Sequence, residues 1–413
     1  MSTAVSRAAR RPGPPTDYSV LLRSVQQAGL MGRRYTYYAV KAAGLAAALI
    51  AVLAVFVVIG DSWWQLLVAA ALGVVLAQFG FLGHDAAHRQ IFRSGKANDR
   101  AALVLGTVVS GMSAAWWNSK HNRHHAAPNQ IGKDPDIDPT VLHWYPTGSA
   151  PGSRLGRFLR ARQGWWFFPL LTLEGANLHV QSFRTSSRRA AGRRGFVEIT
   201  LLTARWGVYL TMLPIVVGPV KAAAFLGVQL AVVGVYLGCT FAPNHKGMPV
   251  LPPEARPDFL RRQVLPSRNI SGNRLTSFLM GGLNHEIEHH LFPSMPRPNL
   301  RRAQRIVRPF CTANSVTYTE TTLRRSSAAT SVLFGKGSRG RGPKTRLVPA
   351  INSVDALLDW WLTDVRHRHR KTGPQRVVTH PGTVAAVPVT PLAGQQRRVR
   401  IQPVVAELVE SHS

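Results

Sequence analysis

The sequence predicts an all-α membrane protein: four transmembrane helices in two hairpins, additional membrane-embedded or interfacial helices, and histidine clusters that converge on the cytoplasmic face as a metal centre. Three observations carry that expectation. The apolar residues of the 413-residue chain are bunched into long uncharged runs, which a mean hydropathy of -0.02 conceals. The 51 basic residues, against 19 acidic ones, lie mostly between and beyond those runs, as the positive-inside rule requires of cytoplasmic segments. Histidines recur in three clusters, HDAAH (His84 to His88), HNRHH (His121 to His125) and NHEIEHHLFP (Asn284 to Pro293), each spaced for one face of a helix.

Residues 1–34 are basic and contain Pro12 to Pro15, and they read as a flexible cytoplasmic arm rather than a secretory signal, whose apolar core would start earlier. The first span is expected at about 39–59, with Lys41 at its edge. A short turn with Asp61, Trp63 and Trp64 leads to the return span at 65–82. Arg33, Arg34 and Lys41 on one flank and Arg89, Arg93 and Lys96 on the other place both ends of this hairpin in the cytoplasm. HDAAH then emerges at the cytoplasmic mouth. The apolar stretch 101–117 is interrupted by Gly106, Ser110, Gly111 and Ser113. If it crossed the bilayer, HNRHH would land opposite HDAAH, so it is expected to dip into the membrane or lie along it. In KDPDIDP, the carboxylates of Asp134, Asp136 and Asp138 either offset a cationic metal or form solvated turns, and turns are the favoured reading. Trp165 to Leu173 is too short to span and is expected to be interfacial. Spans at about 196–218 and 221–241 form the second hairpin around Gly218-Pro219. Glu198 and Arg205, seven residues apart, must pair or snorkel within it.

This topology brings Asn244 and His245 to the same membrane face as the three clusters. Imidazoles suit iron, copper, nickel or zinc, and these exceed what one tetrahedral zinc needs, so two metals are expected. Within the clusters, His84 pairs with His88, His121 with His124 and His125, and His285 or Glu286 with His289. Cys239 and Cys311 make no spaced pair, so neither a disulfide framework nor a cysteine metal site is indicated. The formal charge of +32 is assigned to membrane anchoring and not to nucleic acid, because it follows the flanks of the apolar runs.

HDAAH, WWNSKHNRHHAAPN, FAPNHKGMP and GGLNHEIEHHLFPSMPRPNL together resemble the membrane-bound fatty acid desaturases, in particular an actinobacterial branch with a front-end-like third box. The likeness runs from about Tyr18 to about Leu323. It implies a desaturase domain over 35–323, a cap with two irons above an acyl tunnel, and oxygen-dependent desaturation of a fatty acyl chain, either acyl-CoA or acyl-lipid, in a bacterial cell membrane. It implies His84, His88, His121, His124, His125, His245, His289 and His290 as iron ligands. One departure stands out: Glu286 occupies a position where front-end relatives carry glutamine, which makes Glu286 or His285 a candidate further ligand, with neither as the remaining alternative. A hydroxylase or ketolase of the same superfamily, or an inactive membrane metal-binding or adaptor protein, is the alternative.

Desaturation of an unactivated methylene requires O2 and external electrons. HPGT at His380 to Thr383 is the one haem-ligand-like motif and has no matching second half, so a separate ferredoxin or flavin reductase is expected on the basic face. Asp85 and Glu288 are candidate partners of ligand histidines, and Arg123 and Arg184 are candidates for meeting a phosphate-bearing head group. Residues 324–413 depart from the family. They read as a basic, mostly disordered tail with a short amphipathic helix at 353–370, either appended for surface interaction or produced by a slipped reading frame. A chain ending near Leu323 is expected to keep its activity.

Overall fold

The computed structural model describes residues 16–139, 142–145, 153–188 and 192–326. The expected tail beyond residue 326, with its 353–370 helix and the HPGT motif, lies outside the described residues. The described chain is mostly helical. Among the described residues, three helices are long and apolar enough to cross a membrane, α2 (Tyr35–Ile59), α3 (Gln65–Ala87) and α8 (Arg193–His245). Only 6% of the apolar window of α2 is buried against protein, compared with 61% for α3. Thus α3 forms the centre of the bundle and α2 its rim.

α8 is interrupted at Gly218, whose φ of 72° and ψ of 161° are non-helical. A residue with a Cβ is strained at that φ, and Pro219 follows, so the chain turns where the sequence allows it. Across the turn Tyr209 donates to Gln229 Oε1 at 3.0 Å, and Lys221 pairs with Asp61 at 2.8 Å. Phe225, Val233 and Leu237 of the second arm pack with Leu72, Leu76 and Phe81 of α3.

Trp165 to Leu173, expected as a short interfacial helix, belongs to the 26-residue α7 (Gln163–Arg188). The helix outruns its apolar stretch because the later residues supply a face packed on α8. The contact is backbone to backbone: a Cβ on Gly234 would lie 2.2 Å from Leu171 O, and one on Gly175 2.1 Å from Leu230 O. Small residues of this kind let helices approach closely in lipid. Gly234→Val should destabilise the fold by about 3 kcal/mol, read as loss of the folded fraction on heating in detergent; a variant as stable as the parent would disprove the close crossing.

The stretch 101–117 is not one helix. α4 (Gly95–Ala102) continues as a π-helical segment, Leu103–Val109, and the chain breaks before α5 (Ala114–Ala126). Glu198 holds this break. Its Oε1 accepts from Thr107 Oγ1 at 3.1 Å, Ser113 Oγ at 3.0 Å and Ala115 N at 3.0 Å. The expected Glu198–Arg205 partnership is therefore replaced. Arg205 instead lies over the rings of Trp206 and Tyr209, at 4.8 and 4.6 Å.

Beyond α8, the cap is assembled from α9 (Phe259–Val264), β1 (Asn269–Ser271), α10 (Arg274–Leu279), α11 (Glu286–Leu291), α12 (Arg297–Ala313) and β2 (Glu320–Thr322), which pairs in parallel with β1. The arm expected to be flexible contributes to it as well: α1 (Asp17–Gln27) is capped by Thr16 and buries Leu21 and Val25 fully. Those two residues, one helical turn apart, join Leu260, Ile287, Leu291 and Val307 in the cap core. Ser326 Oγ donates to Pro243 O at 2.7 Å, so contacts with the body reach beyond Leu323.

Candidate metal centre

Three helices deliver histidines from their C-terminal ends. His84 lies in the last turn of α3 and His88 caps it. His121, His124 and His125 occupy the last turns of α5, and His245 is the final residue of α8. Unpaired carbonyls give a helix C-terminus partial negative charge, so their convergence favours a cation. α11 completes the cluster with Glu286, His289 and His290. The preceding Gly281 and Gly282 have φ of 59° and 82°, and Cβ atoms there would lie 2.4 Å from the Phe81 ring and 2.4 Å from Arg297 Cγ. Only glycine fits this approach to α11.

The side chains fall into two sets, in each of which the ligating atoms lie within 4.8 Å of one another: His84, His88, His121, His125 and His289 in one, and His124, His245, Glu286 and His290 in the other. All eight histidines expected as ligands are thus gathered. Glu286 joins them and His285 does not. The reason is local: α11 begins at Glu286, while His285 closes a 3-10 turn, Leu283–His285, with φ of -108° and ψ of 55°. His285 is consequently off the ligand-bearing helix face, although buried.

The hydrogen-bond pattern fits a bound cation. Each histidine of the carboxylate-containing set directs Nδ1 at an acceptor: His124 at Asp134 Oδ2, 3.0 Å, His245 at Pro266 O, 3.0 Å, and His290 at Gln263 Oε1, 3.1 Å. Gln263 is oriented by its own amide, which donates to His125 O at 2.9 Å. With Nδ1 protonated, a neutral ring turns its Nε2 lone pair inward. Yet His245 Nε2 and His290 Nε2 lie 3.1 and 3.3 Å from Glu286 Oε1. A shared cation resolves this meeting of lone pairs with an anionic oxygen. In the five-histidine set, His84 Nε2 and His125 Nε2 both approach His121 Nε2, at 2.9 and 3.0 Å, and a single proton cannot bridge both. Both nitrogens of His289 and Nε2 of His88 are buried without a hydrogen-bond partner, an arrangement costly unless a metal takes the lone pairs.

Electrostatics agree. Burial, reinforced by repulsion among the rings, holds His121, His125 and His289 well below the usual histidine range, leaving neutral ligands. Burial alone would raise Glu286, but the adjoining His245 and His290 outweigh that and hold its carboxyl well below the usual carboxylate range. Asp134 and Asp136, expected in solvated turns, lie 3.0 and 3.6 Å from His124 Nδ1. Asp134 is fully buried and also accepts from Asn129 N at 2.7 Å, so the turn is folded around the carboxylate. Asp138 stays exposed.

The other proposed partners diverge. Asp85 is 3.7 Å from His84 Nδ1 and pairs with Arg297 at 2.6 Å, with both side chains buried. Glu288 contacts no ligand histidine; it accepts from Asn269 at 2.7 Å and Tyr318 at 2.8 Å, which fastens α11 to β1 and the strand-forming segment. Burial pushes its carboxyl up to about 7. Beside His84 runs an apolar cavity of about 40 Å³, bounded by Gly80, Phe81, Gly106, Met112, Trp117 and Phe241. Arg123 borders a separate basic cleft, and Arg184 is exposed.

A family model described as "Fatty acid desaturase" matches residues 61–322, which includes every one of these ligating side chains. The chain belongs to the fatty acid desaturase family. Among similar proteins, the "Delta(6)-fatty-acid desaturase fat-3" of Caenorhabditis elegans is 29% identical over 73% of this chain and 70% of its own length. The "Delta(8)-fatty-acid desaturase 2" of Arabidopsis thaliana is 29% identical over the same shares, 73% and 70%. The "Acyl-lipid (9-3)-desaturase" of Physcomitrium patens is 31% identical over 62% of this chain, which spans 50% of that relative. In this desaturase-family chain the two side-chain sets are compatible with a di-iron site.

Proposed function

We propose that the protein is a membrane fatty acid desaturase that uses two irons and O2 to introduce a double bond into an acyl chain. The observation that carries this reading is the juxtaposition of two candidate metal-ligating sets with an apolar cavity, His84 belonging both to the five-histidine set and to the cavity lining. The eight histidines and Glu286 are the ligands: five imidazoles for one iron, three imidazoles and a carboxylate for the other. Irons bound there would supply reduction of O2 and an oxidant able to take hydrogen from an unactivated methylene.

The chain's own residues bind, orient and dry the site. Asp134, Pro266 and Gln263 fix three imidazoles through Nδ1 and leave Nε2 for metal. Phe81, Met112, Trp117 and Phe241 exclude water from the cavity and would hold acyl methylenes beside His84. Four spans in two hairpins, with α8 folded back at Gly218, carry the cap; the Tyr209–Gln229 and Lys221–Asp61 contacts support that topology. The basic flanks support placing the cap and both termini on the cytoplasmic side of a bacterial membrane. Electrons come from a separate donor.

Lipid extraction from a host expressing the chain, with double bonds located by mass spectrometry, tests the activity. A new alkene that disappears without O2 is expected; an alcohol or ketone in its place would make the protein a hydroxylase or ketolase. Glu286→Gln is expected to keep most of its metal, since an amide oxygen still reaches the site, but to bind the second iron more weakly than the parent and to alter turnover, because a neutral amide is a poorer ligand than a carboxylate. Graded chelation followed by metal analysis reads this; unchanged affinity and turnover would remove Glu286 from the ligands.

A further inference from the structure

A second concavity lies at the C-terminal end of α5, whereas the apolar cavity is lined from that helix's N-terminal end. It is a cleft of about 570 Å³ whose lining includes Arg123, Lys133, Arg256 and Arg262 and no acidic residue. Arg123, Lys133 and Arg256 are exposed and belong to none of the ion pairs among the described residues. Positive side chains crowded around one hollow repel one another, and they focus the field there so as to attract a negatively charged partner.

The cleft wall is also the metal centre's outer wall. Ala126, in the lining, follows His125, a member of the five-histidine set, and Arg262 Nη1 donates to Ala126 O at 3.5 Å. Its neighbour Gln263 bonds to His125 O and to His290 Nδ1, touching both sets. The apolar cavity reaches the metals from the N-terminal end of α5, at Ala114 and Trp117, whereas the cleft reaches them from the C-terminal end. The cavity and the cleft are thus two separate concavities, lined from different ends of α5.

We propose that this cleft docks a small acidic one-electron carrier protein, and that electrons enter through the His125–Gln263–His290 wall. The inference rests on the proposed desaturation. Forming one double bond removes two hydrogens from the acyl chain; with two electrons delivered singly by the carrier, which is oxidised, and two protons from solvent, O2 leaves as two waters. Docking through charge should be weak, fast and salt-sensitive.

Stopped-flow reduction of the oxidised, iron-loaded protein by a reduced acidic [2Fe–2S] ferredoxin tests this, with dithionite reduction measured in parallel. Reversing three charges together, Arg123→Glu, Lys133→Glu and Arg256→Glu, is expected to lower the ferredoxin rate constant about 100-fold at low salt and to remove its salt dependence. Iron content and dithionite reduction should not change. The control Arg302→Glu with Arg305→Glu, exposed on α12, should leave the ferredoxin rate within about two-fold. Equal ferredoxin rates in the triple variant and the parent would overturn the proposal. So would a raised KM for acyl-CoA with unchanged ferredoxin reduction, which would make the cleft a phosphate site for substrate. If the dithionite-reduced parent forms no alkene, the desaturase reading itself fails, whatever the cleft does.

Discussion

His289→Ala should remove one of two irons and lower desaturation by at least about 100-fold, while the protein still elutes as a folded membrane particle. His289 is the ligand most completely dependent on metal: both ring nitrogens are buried without a hydrogen-bond partner, and its ring centre is 4.8 Å from those of His84, His88 and His125. No other bond holds it there. Loss of such a ligand changes geometry and potential together, whereas loss of a partner one shell out typically costs 10–100-fold. His124→Ala should empty the other set in the same way. His285→Ala supplies the control, because that residue is also buried but lies outside both sets, and it should retain both irons. Metal analysis of the purified variants reads all three; full activity in His289→Ala would sink the ligand assignment.

Arg297→Met should cost about 3–5 kcal/mol of stability. The guanidinium pairs with Asp85 at 2.6 Å, with side-chain exposures of 5% and 3%, and also donates to Phe81 O at 2.6 Å. Removing it leaves a buried carboxylate without a counter-charge in the last turn of α3, one residue from His84. The asymmetry between breaking a buried pair and replacing it gives the prediction its check. Asp85→Asn with Arg297→Met strands no charge and should recover part of the loss. Denaturation in detergent measures both; if the single variant matches the parent, the pair does not support the site.

The long apolar helices and the histidines were legible because each depends on one short-range rule, hydropathy length or helical spacing. His84 with His88, and His121 with His124 and His125, needed only the geometry of one helix. The choice between His285 and Glu286 was not legible, since both stand four residues before a histidine, and a 3-10 turn decided it by starting α11 at Glu286. Asp134 looked like an ordinary Asp-Pro turn; its role depends on the turn's being folded back onto α5, a tertiary contact with no sequence period. Glu198 similarly found Thr107 and Ser113 across the bundle instead of Arg205 on its own helix. The helix at Asp17–Gln27 lay beneath the composition of a basic arm, though Leu21 and Val25 already carried the spacing of a buried stripe.

In the proposed function, eight histidines and Glu286 hold two irons. Iron content per chain, measured by elemental analysis on protein purified with its activity intact, tests it most directly. Two irons per chain are expected, giving two distinct Mössbauer environments because one set contains a carboxylate and the other does not. One iron per chain, or none, in a preparation that still converts an acyl chain to an alkene would contradict it.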